Sequence, residues 1–146
     1  MVNGRRPVGG LTISATLAEE LLAYARAEAP NEACGILSGS ASTGRATTYH
    51  PARNAEASPY VYTVHPDDLV RIVIGIEDAG EDLVAIFHSH THTPAVPSPT
   101  DRRLAMYPEA FYLLATLMEP SAEPMQALRA WRIRDDETTP VLLRID

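Results

Sequence analysis

Leu83-Val84-Ala85-Ile86-Phe87-His88-Ser89-His90, followed by Ser98 and Asp101, is the stretch on which the fold and its chemistry turn. The apolar run reads as a buried central strand. Two histidines one residue apart at its end share one side, because strand side chains alternate. Their imidazoles can converge on one point. The carboxylate of Asp101, brought back by the next turn of chain, can complete a set of three. Two His and one Asp, with a fourth position left to water, is the ligand set of a catalytic zinc; a closed structural site normally has four protein ligands. The expectation is a hydrolytic metal centre.

Helix and strand signals lie on either side of that strand. Residues 11–13 read as a short first strand. Thr16-Leu17-Ala18-Glu19 reads as a capping box, and Leu17, Leu21 and Tyr24 recur at helical spacing until Pro30 ends the helix. Residues 35–37 and 46–50 read as strands joined by a Gly/Ser-rich turn between Gly39 and Gly44. Residues 60–64, rich in β-branched and aromatic side chains, read as another strand. Pro66-Asp67-Asp68 opens a second helix, acidic in its first turn, with Leu69, Ile72, Val73 and Ile76 on one stripe and Gly80 as its stop. A loop carrying Pro94 and Pro97 leads to a third, shorter helix that starts at Ser98-Pro99-Thr100-Asp101. Residues 111–118, 127–133 and 141–145 finish the chain as strands. The order predicts an α+β or three-layer α/β arrangement, a curved mixed sheet flanked by helices.

A chain of 146 residues buries an ordinary core without staples. Residues 11–146 read as a single domain and residues 1–10 as a disordered tail. The arginines of that tail precede no apolar stretch, so it is not read as a secretory signal. No apolar run reaches the roughly 18 residues of a membrane-spanning helix, and a cytoplasmic location is expected. The net charge of −7 speaks against a nucleic-acid partner. The basic residues are all Arg, which a GC-rich coding bias explains without invoking function. The single Cys34 excludes an internal disulfide and reads as a small buried thiol.

The spacing of the histidines, serine and aspartate is more specific than an isolated H-x-H. His88, His90, Ser98 and Asp101 stand as H-x-H-x7-S-x2-D, which resembles the signature of the JAMM (MPN-plus) metallopeptidases. The resemblance runs from about Leu11 to Ile145. Glu32-Ala33-Cys34-Gly35, Asn54-Ala55-Glu56 with Ser58-Pro59, and His88-Ser89-His90-Thr91 resemble the small bacterial Mec-type branch, which acts on ubiquitin-like sulfur-carrier proteins. One departure is Val96, two residues before Ser98, where that branch has an aromatic residue; this bears on the shape of the substrate groove. The resemblance implies a cytidine-deaminase-like three-layer fold, Zn2+ on His88, His90 and Asp101, Glu32 as general base, and Ser98 as a hydrogen-bond donor to the oxyanion or the bound water.

Each of these residues also has a plainer reading. Ser98 and Asp101 form a capping box with Pro at the first helical position. The two roles agree, since a capped helix start holds Asp101 rigidly. Glu32, from its local sequence alone, is an exposed charge after Pro30-Asn31; only the resemblance makes it the base. His92 extends the histidines to an alternating trio and so offers a rival ligand to Asp101. Thr93-Pro94 indicates that the strand has already ended, which places His92 in a loop at the mouth of the cleft. His50 and His65 read as structural.

The function implied by the resemblance is hydrolysis of the bond after the C-terminal Gly-Gly of a ubiquitin-like sulfur-carrier protein, releasing cysteine or a short extension. A deubiquitinase-like zinc peptidase with another substrate, or a non-catalytic MPN scaffold, are the alternatives. The scaffold reading is disfavoured because every ligand is present.

Overall fold

A computed structural model, which describes residues 9–146, contains seven strands and four helices. Their order is β1 (Gly10–Ile13), α1 (Ala15–Glu28), β2 (Cys34–Ser40), β3 (Arg45–Ala52), α2 (Pro66–Asp78), β4 (Asp82–His90), α3 (Pro99–Leu104), β5 (Phe111–Thr116), α4 (Pro124–Ala127), β6 (Leu128–Arg134) and β7 (Glu137–Ile145). The strands stand in the order β1-β3-β2-β4-β5-β6-β7 in one mixed sheet that curves until it closes. Closure is made by β1, which runs parallel to both β3 and β7. At the centre β4 pairs antiparallel with β2 and parallel with β5. The expected α+β class and the curved mixed sheet with helices are what the chain forms; closure through β1 is an addition.

Two apolar clusters lie on the two faces of the central strands. Leu17, Ala18, Leu21 and Leu22 of α1 pack with Leu37, Tyr49, Ala85, Phe87 and Leu113. Ile72 and Ile76 of α2 pack with Ile36, Ile86, Tyr112 and Leu114. A register shift sets which β4 side chains face which way. Leu37 opposes Ala85 while Ser38 opposes Leu83, so Val84 bulges out of the ladder. From Ala85 onward the alternation is regular and delivers His88 and His90 to the same face as Ile86. Gly35 must be glycine, because a Cβ there would lie 2.5 Å from both the His50 carbonyl oxygen and the Tyr49 ring.

Four expectations need correction. The cap of α1 is Ser14, whose side chain accepts from Leu17 N at 3.0 Å, so Thr16 lies inside the first turn. Residues 60–64 form no strand. Their main-chain groups bond to the Asn54 side chain, and the isolated pairing of Asn54 with Val64 is all the ladder that forms among them. The expected tail over residues 1–10 falls, for residues 1–8, outside the described residues, and Gly10 already pairs with Leu142 in β1. The last two strands begin or end a few residues from their expected bounds, and the single-turn α4 was not expected. Gly80 does end α2, at φ 70° and with its N–H on the Glu77 carbonyl. Among the described residues no helix is long and apolar enough to cross a membrane.

Candidate metal centre

The end of β4 and the start of α3 meet. His88 and His90 are buried on one face of β4, and Ser98 caps α3 through a reciprocal box. Asp101 N donates to Ser98 Oγ at 3.0 Å, and Ser98 N donates to Asp101 Oδ2 at 2.9 Å. The box fixes the Asp101 rotamer and sends Oδ2 to within 3.1 Å of His88 Nε2 and 2.9 Å of His90 Nε2. The two Nε2 atoms are 3.3 Å apart. Glu32, from the segment before β2, joins them. It is 4 % exposed, so the exposed-charge reading does not hold. Ligand atoms of Glu32, His88, His90 and Asp101 all lie within 4.8 Å of one another.

The donor chemistry of this cluster fits a cation. His90 Nδ1 lies 2.8 Å from the Pro94 carbonyl, which can only accept, so Nδ1 carries the proton and neutral His90 presents a lone pair at Nε2. That lone pair, the Nε2 of His88 and a carboxylate oxygen then crowd one point, while the buried Nδ1 of His88 has no hydrogen-bond partner among the described residues. Tautomer selection by an outer carbonyl is the arrangement found behind metal-bound histidines. Glu32 Oε1 is buried without a hydrogen-bond partner among the described residues. Glu32, His88, His90 and Asp101 together are thus a donor set that could hold a metal ion.

Electrostatics separates the two carboxyls. Burial favours the neutral form of each. For Asp101 the imidazoles of His88 and His90 set against its Oδ2 outweigh burial and hold it well below the usual carboxylate range. For Glu32 burial dominates, eased by His90 and reinforced by Asp101, and pushes the group up to about 7. Burial holds His88 below the ordinary histidine value. For His90, burial is outweighed by Asp101 and the Pro94 carbonyl, and the net shift is upward. One carboxyl stays ionised while the other is poised to exchange a proton near neutrality.

His92 is exposed in the loop, bonded to Thr91 Oγ1 at 2.8 Å, and does not join the cluster. His50 bonds Ser38 at 2.8 Å, and His65 caps α2 by accepting from Asp67 N. Cys34 is buried and its thiol is pushed up to about 12 by burial, which removes it from thiolate chemistry. Sequence reasoning missed the supports of the site. Tyr62 stacks on His88 with ring centroids 4.2 Å apart, and Ser89 Oγ accepts from Ala33 N at 2.8 Å, tying the residue after Glu32 to the strand between the two histidines. Beside Asp101 opens a cavity of about 260 Å³ walled by Ile36, Tyr62, Leu69, Ile86 and Tyr112. An Asn followed by a Ser-Pro-rich excursion was a readable turn signal; the stacking of Tyr62 had none.

The family model for prokaryotic homologues of the JAB domain matches residues 14–134. The CysO-cysteine peptidase of Mycobacterium tuberculosis is 40 % identical over 129 residues, 88 % of this chain and 86 % of that protein. The desampylase of Haloferax volcanii is 38 % identical over 111 residues, 73 % of this chain and 80 % of its own. The solution structure of DSY2949 from Desulfitobacterium hafniense superposes with a TM-score of 0.83 at 31 % identity, covering 93 % of this chain and 92 % of that one.

Proposed function

The chain belongs to the prokaryotic JAB-domain family as a JAMM-type peptidase, and from that premise we propose that it hydrolyses the bond after the C-terminal Gly-Gly of a ubiquitin-like sulfur-carrier protein. The observation that carries the catalytic part is the convergence of Glu32, His88, His90 and Asp101 within 4.8 Å. Support for the substrate comes from similarity to a CysO-cysteine peptidase and a desampylase. The product is cysteine or a short extension, the catalytic domain spans residues 11–146, and the setting is the cytoplasm.

His88, His90 and Asp101 would hold zinc. When bound, zinc lowers the pKa of a water to about 7 and polarises the scissile carbonyl. Glu32 accepts the proton of the attacking water and returns it to the leaving amine, a task for which its buried carboxyl lies within reach of the ligand atoms. Ser98 Oγ accepts from Asp101 N in the helix cap and keeps its hydroxyl proton for the oxyanion. The Gly-Gly tail passes between the loop from Pro94 to Pro97 and the segment around Glu32, where residues without side chains leave the carbonyl free to reach the centre.

The test is mass spectrometry of a carrier ending in Gly-Gly-Cys after incubation with zinc-loaded protein, alongside a Gly-Val-Cys version. Cleavage of the first alone is expected. Equal cleavage of both, or of neither, rejects the carrier reading. Metal analysis of His88→Ala with His90→Ala should show loss of zinc, and zinc-loaded Glu32→Gln should lose about 10²–10⁴-fold in turnover.

A further inference from the structure

Glu32 stands outside regular structure, two residues before β2 begins, so no ladder fixes its main chain. Both of its main-chain polar groups are taken instead by the excursion over residues 54–64. Glu32 N donates to the Ser58 carbonyl at 2.8 Å, and Asn54 Nδ2 donates to the Glu32 carbonyl at 3.1 Å. The same nitrogen donates to the Val61 carbonyl at 3.0 Å. The Asn54 oxygen accepts from Glu56 N at 3.0 Å and from Thr63 N at 3.1 Å. The amide thus uses both hydrogens and both lone pairs. Inside the excursion Ala57 sits at φ 45°, a left-handed value that residues other than glycine seldom adopt. Its far end carries Tyr62, the ring stacked on His88.

We propose that Asn54 is a positioning residue for the reaction: its Nδ2 anchors the main chain of Glu32 to the excursion that carries Tyr62. Base and metal ligand are thereby held at a fixed separation. The inference rests on the reading of Glu32 as general base. With Oε1 lacking a hydrogen-bond partner among the described residues, the carboxyl has little at its tip to aim it, and the anchoring of its main chain decides where it points.

Asn54→Asp separates the two halves of the amide. It keeps the oxygen that accepts from Glu56 N and Thr63 N, and sets a second oxygen against two carbonyls. The turn retains its acceptor while Glu32 loses its anchor. With a carrier ending in Gly-Gly-Cys as substrate, kcat is expected to fall about 10–100-fold, in line with a misplacement of the order of 1 Å. KM should stay within about threefold and zinc per chain should be unchanged. Amide exchange at Glu32 and Ala33 should accelerate while β4 and β5 keep their protection. In a Glu32→Gln background, Asn54→Asp should add less than about twofold, because it acts through Glu32. Parental kcat in Asn54→Asp, unchanged exchange at Glu32 and Ala33, a kcat loss matched by zinc loss, or a full additional loss in the Glu32→Gln background overturns the proposal. Parental turnover by zinc-loaded Glu32→Gln instead overturns the assignment of the base.

Discussion

The two faces of β4 differ in how they are finished. Toward α1, Ala85 and Phe87 enter a dry cluster in which Phe87 is fully buried and its ring meets Tyr49 edge-on, with Tyr49 in turn edge-on to Tyr24. Toward α2, Ile86, His88 and His90 enter a face whose packing stops short. A cavity of about 260 Å³ opens beside Asp101, and the surrounding loops are held by single polar pins. Trp131 Nε1 donates to the Ala95 carbonyl, and Tyr112 Oη accepts from Met106 N and Tyr107 N. One strand thus supplies stability with its odd residues and chemistry with its even ones. The lesson is that one strand can turn a polar cluster to one face while its other face packs into an apolar one.

That division predicts unequal responses to truncation. Phe87→Ala should cost about 3–5 kcal/mol in a denaturant titration, because a rigid aromatic cluster cannot collapse into the void. Folded Phe87→Ala protein should still bind zinc. A cost no greater than that of a surface substitution would break the comparison. On the other face, Tyr62→Leu should weaken zinc by about tenfold in chelator competition, since the ring backs His88 and outer-shell losses of this kind are of that size. Leu69→Ala should cost less than the roughly 2 kcal/mol at the lower end for core leucines. Leu69 is half-buried and already borders the cavity, so fewer contacts are lost. A Leu69→Ala cost equal to that of Phe87→Ala would show that the two faces are packed alike.

The sequence made the even residues of β4 legible because a period of two and an H-x-H-x7-S-x2-D spacing are local properties. The serine and aspartate were legible twice, as a ligand and as a cap, and the structure gives Ser98 and Asp101 their cap without moving Asp101 from the histidines. Glu32 was not legible locally. Its main chain and that of Ala33 are held by Ser58, Asn54 and Ser89, which are up to 57 positions from Glu32 in sequence and leave no periodic trace. Residues 60–64 misled for the opposite reason. Their composition suits a strand, but Asn54 offers their main chain a competing set of bonds. Closure of the sheet through β1 was hidden because a four-residue strand pairs with β3 and β7, partners that sequence spacing does not single out.

The smallest expected effect concerns how the α2 face is pinned, and pH reads it. Asp68, in the first turn of α2, accepts from Arg53 N at 2.8 Å and from Arg53 Nε and Nη2 at 3.0 Å, with Arg71 at 3.5 Å. The hydrogen bonds from Arg53, chiefly side-chain and then main-chain, hold the carboxyl well below the usual carboxylate range, and a helix N-terminus favours the same charge. A folded value below the unfolded one, about 3.9, fixes the sign: the contribution is complete above roughly pH 4 and fades as pH falls from there. Both guanidinium groups are more than half exposed, so salt screens the pair and the effect is modest. Thermal melts of the parent and Asp68→Asn should differ by a few degrees at pH 7, and the gap should narrow as pH drops below about 4. The parent approaches the variant because it loses what the variant already lacks. A gap independent of pH down to 3 would mean that Asp68 holds Arg53 and the 53–65 stretch by shape rather than by charge, and the α2 face would then resemble the α1 face more closely than its hydrogen bonds indicate.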